Sequence, residues 1–354
     1  MRTTLHPLAK ILLAWYRTHR RILPWREHPD PYRVWISEIM LQQTQVDTVI
    51  PYYHRFLKRF PTVAALAGAR LDEVLKTWEN LGYYARARHL HRAAQVVAEQ
   101  FKGKIPDTRE ALVALPGVGP YTAGAILSIA FGKPVPAVDG NVCRVLGRLF
   151  AIKECIGRPE TQKAIHTLTA SIIPKKAPGS FNQALMDLGA MICTPKSPAC
   201  EDCPLKMFCK ARQDGLQDRL PVSAKKPSVP HERATAAVIR NRQGQTLVVQ
   251  RPARGLLASL WKLPGGIVNK GELLEEGLKR IVYKELGIRI MVGEAVASVN
   301  HAYTHFRITL QAFRCTRLSG RLRALACQDW RWASPDDLEN LAFSKADRAI
   351  LSVG

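Results

Sequence analysis

The sequence predicts a multidomain protein, an all-α domain followed by a smaller α+β domain, and three observations carry that reading. From about residue 5 to 212 apolar residues recur at the helical period, interrupted by Pro and Gly, with few alternating β-branched runs. Residues 215 to 233, GLQDRLPVSAKKPSVPHER, hold three prolines, mixed charge and little periodicity, as an interdomain linker does. Beyond them, strand-like runs flank a single helix-like stretch. The expected division is 1–214, a linker at 215–232, and 233–354, and a length of 354 residues suits two or three domains.

Charge narrows the partner. Lys and Arg number 52 against 29 Asp and Glu, a formal net charge of +23, which favours a polyanion. Nucleic acid leads, with a membrane surface or a ribosome as rivals. The first 21 residues carry charges every few positions and lack the apolar core of a signal peptide. No stretch approaches a transmembrane span. A soluble, monomeric protein of the bacterial cytoplasm is expected, where disulfides are uncommon, so the eight cysteines need another explanation.

Along the α-domain, the first element of interest is DPYRVWISEIMLQQTQVDTV. Helical rows put Val34, Glu38 and Leu41 on one face, so Glu38 interrupts an apolar stripe. Such a glutamate is either a surface or salt-bridged residue, or a partly buried carboxyl whose raised pKa keeps it protonated as a general acid requires.

Next, LPGVGPYTAGAILSIA places Leu115, Gly117, Val118 and Gly119 between two helix-forming stretches. The turn is either an ordinary helix–helix connection or one whose backbone N–H groups approach a phosphate unobstructed, aided by the following helix N-terminus. Twenty residues past Gly119 comes Asp139, just before an apolar-periodic helix. It reads as an N-cap, and a carboxylate there is held ionised by the helix dipole, which suits a group facing a developing cation.

The α-domain closes with Cys193, Cys200, Cys203 and Cys209 in the pattern C-x6-C-x2-C-x5-C. Four thiolates within one short loop point to a metal centre, and spacing alone leaves tetrahedral zinc and an iron–sulfur cluster both open. Cys143, Cys155, Cys315 and Cys327 stand outside the pattern.

The C-terminal part opens with ATAAVIR and TLVVQR around a turn at Asn241 to Gly244. A Gly-rich loop, a helix near 272–286 and further strands such as FRITLQAF complete the α+β pattern.

These motifs together resemble the endonuclease III and MutY superfamily of helix-hairpin-helix DNA glycosylases, most strongly over residues 24–60, 112–147 and 181–209. The cysteine spacing is that family's [4Fe–4S] loop, and the neighbouring Lys196, Lys206, Lys210 and Arg212 fit phosphate contact. The resemblance implies a monofunctional adenine glycosylase acting on double-stranded DNA with A:8-oxoguanine or A:G mispairs. In it Glu38 protonates adenine N7 and Asp139 shields or captures the sugar cation, the two-carboxylate logic of glycoside hydrolysis. Bifunctional relatives carry a lysine where this sequence has Tyr121, so strand-cutting lyase activity should be weak or absent. Tyr121 and Asn141 are assigned to the catalytic neighbourhood, and Gln42, Gln43 and Tyr83 to filling or wedging the base stack, by resemblance.

WKLPGGIVNKGELLEEGLKRIVYKELGI is similar to a Nudix box, in register through Gly266, Glu272, Arg280, Glu285, Gly287 and Ile288. Ile281 and Lys284 replace two metal-binding glutamates, which implies a Nudix-like (MutT-like) fold without hydrolase activity. NHAYTHF resembles the family's Phe-Ser-His lesion loop, with Tyr303, Thr304 and His305 in its places; the alternative is an ordinary polar turn between strands.

Overall fold

The computed structural model describes residues 5–224, 229–303 and 306–353, which form two compact units: residues 1–67 with 92–226, and residues 68–91 with 227–354. In the first half the chain runs α1 (Pro7–His19), α2 (Pro24–Glu27), α3 (Pro31–Leu41), α4 (Val46–Arg59), α5 (Val63–Ala67), α6 (Leu71–Thr77) and α7 (Ala85–Gln100). It continues through α8 (Arg109–Val113), α9 (Pro120–Ile129), α10 (Gly140–Leu149), α11 (Pro159–Ile172), α12 (Pro178–Met191) and α13 (Lys210–Gln213). Among the described residues no helix is long and apolar enough to cross a membrane.

The first unit is helical throughout. Its core joins Leu8, Leu12 and Trp15 of α1 to Val142, Val145, Leu146 and Leu149 of α10 and to Phe181, Leu185 and Leu188 of α12. These sets follow the i, i+3, i+4, i+7 spacing that places them on one helix face. Proline at N1 and a side-chain cap set the start of α3, where Asp30 accepts from the Tyr32 and Arg33 amides. The proline-rich stretch after α13 begins laid against α10 and the loop that follows it: Arg148 Nε donates to Leu220 O at 2.8 Å and Ile156 N to Val222 O at 2.9 Å.

The second unit contains β1 (His231–Ile239), β2 (Thr246–Gln250), β3 (Trp261–Lys262), β4 (Gly265–Ile267), β5 (Arg289–Ala302), β6 (Arg307–Ser319) and β7 (Asp329–Ala333), with α14 (Leu274–Leu286), α15 (Pro335–Asn340) and α16 (Lys345–Leu351). One sheet has the order β4-β1-β6-β5, with β1 parallel to β6, and the other β3-β2-β7. Strand β1 alternates: Ala237 and Ile239 face a core shared with Leu278, Val282 and Leu286 of α14, while Ala234, Ala236 and Val238 face Ala346 and Ile350 of α16. The sheet is therefore covered by a helix on each face, an α/β layering around the box residues. The segment 68–91, expected from sequence to belong with the helices before and after it, packs instead with this unit, and α7 runs from one unit into the other. Its own buried Val74, Leu75 and Trp78 give it an apolar face to cover.

Both acids that the box retains are tied to basic side chains. Glu272 receives a two-point contact from Arg280, at 2.7 and 2.6 Å. The Lys262 ammonium lies 2.8 Å from buried Glu285 and also donates to Gly265 O. A buried pair broken on one side leaves an uncompensated charge, so Lys262→Met should cost about 3–5 kcal/mol. A fall in the melting temperature, followed by circular dichroism, checks this; an unchanged transition would mean that Glu285 is solvated.

Candidate active site

A cleft of about 1220 Å³ opens in the first unit, lined among others by Glu38, Gln42, Gln43, Tyr121, Asp139 and Asn141. That volume exceeds the roughly 300–1,000 Å³ of usual small-molecule pockets, giving room for a nucleoside with its flanking backbone. Three elements deliver the chemistry. Helix α3 carries Glu38 on its packed side, only 5% exposed. The first turn of α9 sets Tyr121 opposite, and its hydroxyl donates to Glu38 Oε2 at 2.7 Å. Asp139 caps α10, its Oδ1 accepting the Val142 amide at 2.7 Å.

The electrostatics separate the two carboxyls. Burial pushes Glu38 from 4.5 up to about 7; the Tyr121 hydrogen bond opposes this, the charge of Asp139 adds to it, and Arg26 works against it. Burial also pushes Asp139 up, but its anion is held by the Val142 amide, by Asn141 Nδ2 at 2.8 Å and by the field of Arg144. One buried acid has a single hydroxyl donor and the other sits at a helix N-terminus with several donors. Of the two, Asp139 has the more donors to hold its charge. Burial beside both carboxyls raises Tyr121 well above 10, so its phenol stays protonated and donates. An acid and an anion facing one cleft can protonate a leaving base and stabilise a sugar cation.

Several contributors carry no sequence signal. Arg26 and Arg21 converge on Asp187 of α12, which is fully buried, at 2.7 and 2.6 Å. Arg26 is 161 residues from Asp187 in the chain, so no local spacing could pair them. Arg144 binds Asn141 Oδ1, Gly189 O and Cys193 O, each at 2.8 Å, and thereby ties the catalytic-side end of α10 to the cysteine loop. Gly189 permits the close approach: a Cβ there would lie 2.7 Å from Asn141 Cβ.

The remaining predicted residues fall in distinct places. Gln42 and Gln43 occupy the turn after α3, Gln42 Nε2 donating to Thr122 at 3.2 Å and Gln43 exposed with φ 58°. In the hairpin, Leu115 and Val118 are buried anchors while Gly117, at φ 78°, makes the exposed bend. Tyr83 belongs to the second unit and is 41% exposed. Tyr303 lies where β5 and β6 turn between Ala302 and Arg307, stacked on Phe306 at 4.8 Å. Thr304 and His305 lie outside the described residues.

Cys193 lies in the bend just after α12, Cys200 opens a short 3-10 turn that Cys203 ends, and Cys209 ends a second; Cys193, Cys203 and Cys209 pack against the core. Burial first, and the neighbouring thiols after it, push Cys200, Cys203 and Cys209 up. A bound metal cation would reverse that penalty, and a buried guanidinium, Arg148, already lies 3.4 Å from Cys193 Sγ. Among the described residues no three His, Cys, Asp or Glu side chains converge closely enough for a single metal ion.

Known families resolve what the spacing left open. Residues 193–209 match the iron–sulfur binding domain of endonuclease III, residues 36–171 the HhH-GPD superfamily of base excision DNA repair proteins, and residues 235–353 the NUDIX domain. The adenine DNA glycosylase of Homo sapiens is 35% identical, over 97% of this chain and 73% of its own length. The chain belongs to the adenine DNA glycosylase family. That of Buchnera aphidicola subsp. Schizaphis graminum is 37% identical over 74% of this chain and 75% of its own. A thermostable thymine-DNA glycosylase superposes with a TM-score of 0.54 at 32% identity, covering 58% of this chain and 95% of that one. Endonuclease III in a non-covalent DNA complex, at 24% identity and a TM-score of 0.51, covers 59% of this chain and 95% of its own, and has the same helical fold. The glycosylase therefore carries a [4Fe–4S] cluster, 193–209 being the segment that matches the cluster-binding domain, and binds DNA.

Proposed function

We propose that this glycosylase removes adenine paired with 8-oxoguanine or guanine in duplex DNA, as a monofunctional enzyme of base excision repair. The observation that carries the reading is the pair of carboxyls in one cleft, Glu38 with its pKa pushed up to about 7 and Asp139 capping a helix N-terminus. Glu38 gives its proton to N7 of the flipped adenine. The C1′–N9 bond then breaks with its electrons passing to the base, and Asp139 meets the positive sugar. Water adds at C1′, its proton is lost, and an abasic site remains. Tyr121 holds the Glu38 carboxyl by its hydroxyl, and Asn141 orients Asp139. With a phenol where bifunctional relatives carry an amine, borohydride should trap no Schiff base on DNA.

Leu115 to Gly119 presents backbone to phosphate, Gln42, Gln43 and Tyr83 enter the base stack, and Tyr303, Thr304 and His305 inspect the opposite base. A net charge of +23 supports binding to duplex DNA, which the protein is proposed to engage as a monomer in a bacterial cytoplasm. The second unit serves recognition, since Glu285 and Glu272 are already paired with Lys262 and Arg280 and Lys284 stands at a metal position. Magnesium-dependent release of pyrophosphate from oxidised dGTP would overturn that assignment.

The test is single-turnover incubation with adenine opposite 8-oxoguanine, guanine or cytosine, followed by alkali. Cleavage at adenine only after alkali, fastest opposite 8-oxoguanine, is expected; equal rates opposite cytosine would remove the mispair specificity. Gly189→Ala should push Asn141 from Asp139 and slow this step by up to about 10²-fold, as misplacement of about 1 Å does. The same assay reads it, with the cluster's absorbance as a control for folding.

A further inference from the structure

We infer that Phe343 and Arg348, near the C-terminal end of the second unit, act as positioning residues for the exposed loop that carries Tyr83. The inference rests on the reading above that Tyr83 enters the base stack.

The loop is conformationally demanding. Asn80, Gly82 and Tyr83 have φ of 73°, 79° and 47°. A non-glycine residue in the left-handed region is strained and persists only where its surroundings over-determine it. Some of that determination is internal. Trp78 Nε1 and Arg86 Nη2 both donate to Gly82 O at 3.1 Å, and the Arg86 guanidinium lies 5.3 Å from the Tyr83 ring centre.

The rest comes from a residue about 260 positions away. Both residues that flank the loop are fastened to the peptide groups of Phe343: its N–H donates to Glu79 Oε1 at 3.0 Å, and its C=O accepts from Tyr84 Oη at 3.4 Å. Tyr84 Oη in turn accepts the Asn80 amide at 2.9 Å, inside the loop itself. Arg348 completes the clasp. Its Nη2 and Nε donate to Glu79 Oε1 at 2.6 and 3.2 Å, while its guanidinium covers the Phe343 ring at 4.8 Å. Lys76 reaches the other Glu79 oxygen at 2.6 Å. The Glu79 side chain is 11% exposed and so is little screened. A buried backbone strut with a charged latch thus brackets the turn that presents an exposed aromatic ring.

The experiment uses the full chain and a duplex with 2-aminopurine stacked beside the adenine:8-oxoguanine mispair. Fluorescence reports opening of the stack, and single-turnover excision is followed in parallel for Tyr83→Ala, Arg348→Ala and their combination. Arg348→Ala should lose about tenfold in excision with a matching loss of fluorescence, and add little on top of Tyr83→Ala, because residues acting as one unit are non-additive. Affinity for undamaged duplex should hold. Glu79→Gln, which keeps an acceptor for the Phe343 amide, is the milder second variant should Arg348→Ala unfold, and a smaller loss with the same non-additivity supports the clasp. Full fluorescence and rate in Arg348→Ala and Glu79→Gln, or an additive double variant, would overturn the inference while Tyr83→Ala remained impaired. A silent Tyr83→Ala would instead remove the wedge reading, and the clasp's role with it.

Discussion

Asp139→Asn is expected to slow adenine release by about 10³-fold while leaving duplex binding unchanged. A carboxylate about 4 Å from a unit positive charge gains roughly 4 kcal/mol at an effective dielectric constant of 20, which is about three decades in rate. That gain appears only as the glycosidic bond breaks, since the substrate sugar is neutral, so it lowers the barrier and not the binding energy. Asparagine caps helices about as well as aspartate and retains an acceptor for the Val142 amide, now 2.7 Å from Asp139 Oδ1. The start of α10, and the cysteine loop that Arg144 ties to it, should therefore survive. Alkali-revealed cleavage under single turnover measures the first quantity, and fluorescence anisotropy of a labelled duplex the second. Retained excision would take Asp139 out of the mechanism, whereas lost binding would make its role structural.

Glu38→Gln should remove the proton donor and lower the rate by roughly 10²–10⁴-fold, the usual worth of general acid catalysis. Its pH signature is as informative as its size. With Glu38 titrating at about 7, the wild-type rate should fall as pH rises through that value, and the residual rate of the variant should not follow the same limb. Stability should also fall as pH rises over that range. The folded carboxyl holds its proton up to about 7 and the unfolded one only to 4.5, so the native state binds the extra proton between those values. The contribution of Glu38 to stability is then fully present below 4.5 and is lost as pH rises through about 7. The displacement corresponds to about 3 kcal/mol for a group this buried. Glu38→Gln should thus melt close to wild type at pH 4.5 and progressively above it toward pH 8, exchanging activity for stability as strained sites do. A difference in melting temperature that is flat with pH would show that Glu38 titrates normally.

Much of the architecture was legible because it is written locally. The helical half, the Asn241–Gly244 turn, the helix over 274–286 and the strand containing FRITLQAF follow from period and turn chemistry within a few residues. The cysteine loop could be read as a metal centre from spacing, though not as zinc or iron–sulfur, because both accept four thiolates; the relatives decided that. Glu38 could be noticed because it breaks an apolar stripe, and Asp139 because it precedes a helix. Neither observation said that they share a cleft.

What the sequence determined by itself is the set of pieces: which segments are helix or strand, where four thiols crowd together, and which carboxyls sit in unusual company. The tertiary structure alone decided that Arg26 answers Asp187, that Arg144 joins Asn141 to the cysteine loop, and that residues 68–91 fold with the C-terminal part of the chain. The reason is physical. Propensity and periodicity act over one or two turns of chain, whereas desolvation and charge depend on neighbours brought in from 45 to 269 residues away. A pKa near 7 for Glu38, and a strained loop clasped by Phe343, are properties of those encounters and of no segment alone.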